Sequence, residues 1–127
     1  MTSKTVDDLY AAFAQEDPAA LLATLHPDLV LRVSEGMPLD VGGEHCGPQA
    51  ALADCWAVIF RAYDTRPVPE EQVWAGDDRV VVFGHYRGAA RATGQAFEAA
   101  FAHDLGLKDG LIATFTQVTD TARWPRA

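Results

Sequence analysis

The sequence predicts an α+β fold in which three N-terminal helices pack on a curved, mainly antiparallel sheet. Before Tyr63, one short strand aside, apolar residues recur at i, i+3, i+4 and i+7, the spacing of amphipathic helices. From Val68 onward they alternate with a period of two, the spacing of strands. The segments "GDD", "ATGQ" and "KDG" separate the alternating runs, as hairpin turns would. Helices on the concave side of such a sheet leave a conical pocket between the layers. The expected shape is therefore a cone-shaped α+β barrel, one domain over residues 1–127.

Each element has a local cause. Val6, Leu9, Tyr10 and Phe13 form the stripe of a first helix that Ser3 or Thr5 can cap. "EDP" ends it, because Pro18 cannot continue a helix and restricts Asp17 before it. Leu21, Leu22 and Leu25 continue as a short second helix ending near "HPD", and "LVLRV" (Leu29 to Val33) reads as a strand. The fifteen residues "SEGMPLDVGGEHCGP" read as a loop, a length that is often functional in a compact domain. Pro48 suits the start of a third helix with a stripe of Leu52, Cys55, Trp56, Ile59, Phe60 and Tyr63. "VPEEQVWAG", "DRVVVFGHYRGAAR", "QAFEAAFAHDLGL" and "GLIATFTQVTD" then form a four-stranded antiparallel meander.

Composition narrows the function. Hydrophobic residues make up 49% of the 127, enough for a full core. A net charge of −8 argues against nucleic acid or an anionic membrane as partner. There is no apolar run of membrane-spanning length and no signal-peptide core at the start. Cys46 and Cys55 lack metal-type spacing, and His26, His45, His85 and His103 are scattered, so no metal or cofactor is expected. The glycines form no phosphate-binding loop. The expectation is a cytoplasmic protein with two reduced thiols.

Strand alternation sorts the side chains. If "KDG" is a three-residue loop, Leu107 pairs with Leu111, which sets Phe101 opposite Gln117 and His103 opposite Phe115. If "ATGQ" pairs Ala92 with Gln95, Tyr86 lies opposite Phe101 and Gly84 opposite His103. One face then carries Val82, Gly84, Tyr86, Phe97, Phe101, His103, Leu105, Phe115, Gln117 and Thr119. The other carries Phe83, His85, Arg87, Glu98, Ala100, Ala102 and Asp104. The first is the composition of a ligand pocket: mostly apolar, with a few convergent polar groups.

On that face His103, with an ordinary pKa of ~6.5, suits acid–base work or donation to an oxyanion, and Gln117 and Tyr86 suit orienting a ligand. His103 and Gln117 are expected to meet a polar ligand atom. The alternatives are a buried histidine satisfied by a backbone or hydroxyl partner, and a core amide bonded to Tyr86 or Tyr10. Tyr10, Phe13, Trp56, Phe60, Trp74, Phe101 and Phe115 are the candidate ligand-binding residues, with core packing as their alternative. Glu35, Asp40, Glu44 and His45 lie in the long loop and could supply a base, though a solvated loop charge is the favoured reading of each; Asp120 reads as a strand-end residue. Gly84 either makes room for a ligand beside the imidazole or lets the sheet bend.

The stretches "LYAAFAQEDPAALLATLHPDLVLRV", "GPQAAL", "GDDRVVVFGHYRG", "ATGQAFEAAFAHDLGLKDGLI" and "FTQVTDTA" resemble the nuclear transport factor 2-like superfamily. Within it the chain is similar to SnoaL-like and ketosteroid isomerase-like small proteins. The resemblance covers nearly the whole chain and implies the conical fold; activity varies within the fold. In ketosteroid isomerases a first-helix tyrosine and a protonated acid on the next-to-last strand bind an oxyanion. Tyr10 lies near the first place, one residue short in its spacing to Asp17, and His103 at the second. The place of that enzyme's base holds Val33. In SnoaL-like cyclases a histidine and an aspartate on the last two strands do acid–base work; His103 matches the histidine, and Gln117 replaces the aspartate. Limonene epoxide hydrolases add an arginine and a second aspartate on an earlier strand, where this chain has Tyr86 and Gly88.

The resemblance thus implies a small cofactor-free enzyme acting on an apolar, carbonyl-bearing molecule by isomerisation, cyclisation or dehydration. A non-catalytic ligand binder and a dimerisation module are the rivals. A homodimer through the sheet face carrying Phe83, His85, Ala100 and Ala102 is expected.

Overall fold

The computed structural model describes residues 2–127. Helix α1 (Lys4–Gln15) begins where the Ser3 hydroxyl accepts from the Val6 N–H at 3.2 Å. It ends at Glu16, which takes the left-handed conformation with φ 52°. Asp17 then caps α2 (Pro18–Ala23), accepting from the Ala20 N–H at 3.1 Å, with Pro18 at the helix start. The "EDP" break is therefore a stop and a restart within two residues.

Six strands form one sheet in the order β2-β1-β6-β5-β4-β3. They are β1 (Leu25–Val33), β2 (Gly43–Cys46), β3 (Tyr63–Trp74), β4 (Arg79–Ala90), β5 (Ala96–Lys108) and β6 (Leu111–Thr119). The meander β3–β6 is antiparallel, as its hairpin turns dictate. β1 starts four residues earlier than the pattern "LVLRV" suggests and runs parallel to β6, with a register break between Leu25 and Val30. The fifteen-residue loop is partly regular: it holds a short 3-10 turn (Pro38–Asp40), and β2, which pairs with β1. Pro67 and Pro69 are tolerated because β3 is an edge strand.

The third helical run is not uniform. Pro48–Ala51 (α3) and Ala57–Ala62 (α4) flank a π-helical turn, Leu52–Trp56. That wider turn re-aims the stripe, so Cys55 and Trp56 are both buried facing the sheet. At the other end of the chain a 3-10 turn (Thr121–Arg123) leads to Trp124, whose ring lies 4.8–5.2 Å from those of Phe97, Tyr86 and Tyr63.

Two turns differ from expectation. Asp109 and Gly110, at φ 55° and 75°, make a two-residue hairpin turn closed by Lys108 and Leu111. An irregularity between Gly106 and Leu107 adds one further step. His103 therefore pairs with Gln117, not Phe115, and Phe101 with Thr119. The β4–β5 turn closes at Ala89–Ala96, so His103 pairs with Val82 and Gly84 with Phe101. Both corrections are shifts of two residues in the pairing, and a two-residue shift leaves every side chain on its original face.

Gly84 is a site of close approach, not of ligand room. A Cβ there would collide with the Val68 carbonyl oxygen and come within 2.7 Å of the Phe101 ring. Gly84→Ala should therefore destabilise the fold by ~1–3 kcal/mol, as overpacking does, without changing the cavity wall. Urea unfolding checks this; a variant as stable as the wild type would show that β3 can move away freely.

Candidate functional site

The polar centre is a chain of four side chains brought together from distant positions. His103 is 0% exposed. Its Nδ1 lies 2.8 Å from the Tyr10 hydroxyl on α1, and its Nε2 lies 2.8 Å from the Tyr86 hydroxyl on β4. The Phe101 and Phe115 rings pack on the imidazole at 4.0 and 4.8 Å between centroids. Gln117 donates from Nε2 to the Tyr86 hydroxyl at 3.2 Å. Its orientation is set by its Oε1, which accepts from the Ser34 N–H at 3.2 Å. The Ser34 hydroxyl in turn donates to the Gln117 backbone carbonyl oxygen and accepts from the Thr119 N–H.

Burial decides the charge states. Desolvation pushes His103 down to about 3, so the imidazole is neutral near pH 7. The same cause raises the Tyr10 and Tyr86 phenols well above their ordinary range and pushes the Cys55 thiol up to about 12. The site holds neutral hydrogen-bonding groups, and Cys55 is no nucleophile.

A neutral imidazole has one N–H and one bare nitrogen. If Nδ1 carried the proton, Tyr86 would donate to Nε2, and the Tyr10 hydroxyl hydrogen would be buried without an acceptor among the described residues. That would cost ~1–3 kcal/mol. The opposite tautomer moves the free hydrogen to the tyrosine that lines the cavity: Tyr10 donates to Nδ1, and Nε2–H donates to Tyr86. Tyr86 then accepts from both His103 and Gln117, and its own hydrogen is free to point into the cavity. Two incoming donors strengthen the O–H as a donor in turn.

The cavity between helices and sheet is small, about 20 Å³, room for roughly one water. Tyr86 and Gln117 form its polar side; Phe13, Trp56, Phe60 and Phe115 are in its wall. His103, Tyr10 and Phe101 are not: they stand behind Tyr86. The expectation that His103 meets a ligand directly is corrected on that ground, since both its nitrogens are engaged by tyrosines that screen it. Trp74 lies outside the wall too, at the far end of β3, with its N–H on Gln72. Leu31, Val33, Met37, Cys55, Ile59, Pro67 and Trp124 complete the wall and were missed. An aromatic residue in the otherwise polar "TDTARWPRA" was the available signal for Trp124.

No loop carboxylate reaches the cavity. Glu44 pairs with Arg32 at 3.2 Å, and His45 bonds the Val41 carbonyl oxygen at 2.7 Å. Glu35 and Asp40 are exposed, and Asp120 starts the last 3-10 turn. Among the described residues, no three His, Cys, Asp or Glu side chains gather as a metal site.

The model of the SnoaL-like domain family matches residues 6–115. No curated protein matches the chain. Among solved structures, a nuclear transport factor 2-like protein of Burkholderia pseudomallei is 31% identical, with a TM-score of 0.84 over 94% of this chain and 90% of that one. TerC, co-crystallised with polyporic acid, is 28% identical, with a TM-score of 0.81 over 94% and 91%. A candidate polyketide cyclase of Sinorhizobium meliloti is 25% identical, with a TM-score of 0.74 over 92% and 95%.

Proposed function

The chain belongs to the SnoaL-like family, and on that footing we propose that it binds an apolar, carbonyl-bearing small molecule whose oxygen sits on Tyr86 and Gln117. One observation carries the reading. The cavity's polar side offers two donors, the Tyr86 O–H and the second amide hydrogen of Gln117, and no carboxylate. Such a site suits an acceptor oxygen. Two donors on one carbonyl stabilise negative charge developing there, as an oxyanion hole does. TerC's co-crystallisation with polyporic acid supports a small organic ligand in a cone of this kind.

The reaction would be cofactor-free isomerisation, cyclisation or dehydration through a polarised carbonyl. His103 would be a positioning residue, holding the Tyr86 hydroxyl and supplying one of its two incoming donors. A second reading, a non-catalytic binder, is favoured by one specific feature: nothing in the cavity can take a proton from carbon at neutral pH. Gln117→Asp separates the two. It places the acid found in related cyclases beside Ser34 and Tyr86. If the protein is an enzyme, a panel of small ketones, enones and epoxides should show turnover in the wild type and ~10-fold or more in the variant. Tight binding without turnover in either establishes the binder reading. No binding of any ketone would defeat both.

A homodimer through the outer sheet face also belongs to this proposal. Phe83, Val118, Val73 and Val68 are 42%, 58%, 51% and 38% exposed on that face. They adjoin a charged ladder in which Glu70 and Glu98 each pair with His85 and Arg87. Light scattering should give a dimer mass at micromolar concentration, and Phe83→Glu should give a monomer with unchanged ligand affinity. A monomeric wild type would overturn it.

A further inference from the structure

A second, larger hollow adjoins the first. It measures about 250 Å³ and opens between the α1–α2 corner, the π turn and α4, and the β4–β5 turn. Phe13 and Phe60 belong to its wall and to the wall of the inner cavity. These two rings are thus the partition between a space for one water and a space for a ligand chain. They are not equally held. Phe13 is 3% exposed and packs on the rings of Trp56, Phe60 and Tyr10. Phe60 is half-buried near the end of α4, and its ring packs on that of Phe13 at 6.0 Å. Phe60 is therefore the less tightly held of the two rings.

The outer hollow is lined by two acids, Glu16 and Asp17, and two arginines, Arg61 and Arg91. Both acids have partners on the α1–α2 side: Glu16 pairs with Arg66 at 3.4 Å, and Asp17, still charged, accepts from the Ala20 N–H as the cap of α2. Its cations are not neutralised. Among the described residues neither Arg61 nor Arg91 has an ion pair, although the protein carries −8 overall. Arg91 donates from Nε to the Phe60 carbonyl oxygen at 3.0 Å, which ties the end of α4 to the β4–β5 turn and leaves the rest of its fork unbonded. Two guanidinium groups beside an apolar channel are a seat for a carboxylate.

We propose that the outer hollow is the second half of the ligand site, that Phe60 is the door between the halves, and that the ligand is an elongated oxo acid. Its carbonyl oxygen lies on Tyr86 and Gln117, its apolar body passes Phe13 and Phe60, and its carboxylate lies between Arg61 and Arg91. The inference rests on the carbonyl-binding reading for the inner end only; the acid seat stands on the outer residues.

The test uses 5-oxohexanoate and 9-oxodecanoate, their methyl esters, and decanoate, with binding measured by calorimetry and association rates by tryptophan fluorescence. The wild type should bind 9-oxodecanoate about tenfold tighter than its ester, a preference that 0.5 M salt reduces. The short homologue should show much less preference, because it cannot reach both ends. Arg61→Gln should remove most of the acid preference without changing ester binding; Arg91→Gln should do the same, with circular dichroism confirming that α4 is intact. Phe60→Ala should speed association and Phe60→Trp slow it.

Tyr86→Phe separates the two proposals. It should weaken acid and ester alike and leave both their ratio and decanoate binding unchanged. If Tyr86→Phe has no effect but the acid preference still depends on the arginines, the outer seat stands and the carbonyl reading fails. If acid and ester bind equally in the wild type, or if no member binds, the proposal is overturned.

Discussion

Lowering the pH from 6.5 toward 3 should remove on the order of 4–5 kcal/mol from the stability of the fold through His103 alone. The sign follows from where the proton binds. In the unfolded chain the imidazole becomes charged below its ordinary 6.5, while burial in the fold holds that event down to about 3. Between those values the unfolded state binds the extra proton. His103's contribution is therefore complete above pH 6.5 and is lost progressively as pH falls through the folded value. Between pH 6.5 and 4.5 the loss is ~2–3 kcal/mol, within reach of urea titrations at three pH values. His103→Gln keeps one donor and one acceptor between the tyrosines but does not titrate, so its stability should change less over this range by that amount. Equal slopes in wild type and variant would show that His103 gains its proton in the fold as easily as outside. His103→Ala should be worse than Gln at every pH, by ~3–5 kcal/mol at pH 7, because it opens a void among Phe101, Phe115 and Tyr10 and strands the Tyr10 hydroxyl.

Tyr86→Phe should cost about 10- to 100-fold in affinity for a carbonyl ligand, with turnover falling by at least as much if the protein is an enzyme. The hydroxyl is the junction of the site: it takes the imidazole N–H and the Gln117 amide and presents one hydrogen to the cavity. Removing it also leaves those two donors unpaired, so the variant should lose ~1–3 kcal/mol of stability. The ring remains, packed on Phe101 and Trp124 at 5.0 Å, and the cavity keeps its shape. Calorimetry with a ketone and with the alkane of the same size checks this. The wild type should prefer the ketone, and the variant should bind the two alike. If the variant keeps the preference, Gln117 alone holds the oxygen.

Much of this was legible in the residues. The helical stripe ending at "EDP", the change to a period of two and the turn residues between runs are local signals, because they reflect backbone geometry over four to ten residues. They determined the α+β class, the meander and the inward face of Tyr86, His103 and Gln117. The face assignments survived errors at both turns because the errors were even in number, and alternation is blind to an even shift. The resemblance pointed to the same fold.

What a side chain does on its face was decided by tertiary structure. His103 and Tyr86 share a wall, but depth along the cone depends on what packs from the opposite layer. Here that is Tyr10, 93 residues from His103, arriving on α1 to take Nδ1. With Tyr86 on the other nitrogen, the histidine stands behind the tyrosine, and the tyrosine is the one that lines the cavity. The parallel seat of β1 beside β6, which brings Ser34 to Gln117, rests on pairing across more than eighty residues. The π turn that points Cys55 inward, and the meeting of Arg61 with Arg91 at one hollow, likewise depend on where distant segments converge. Periodicity reports which way a residue points; only the packed layers determine what it meets there.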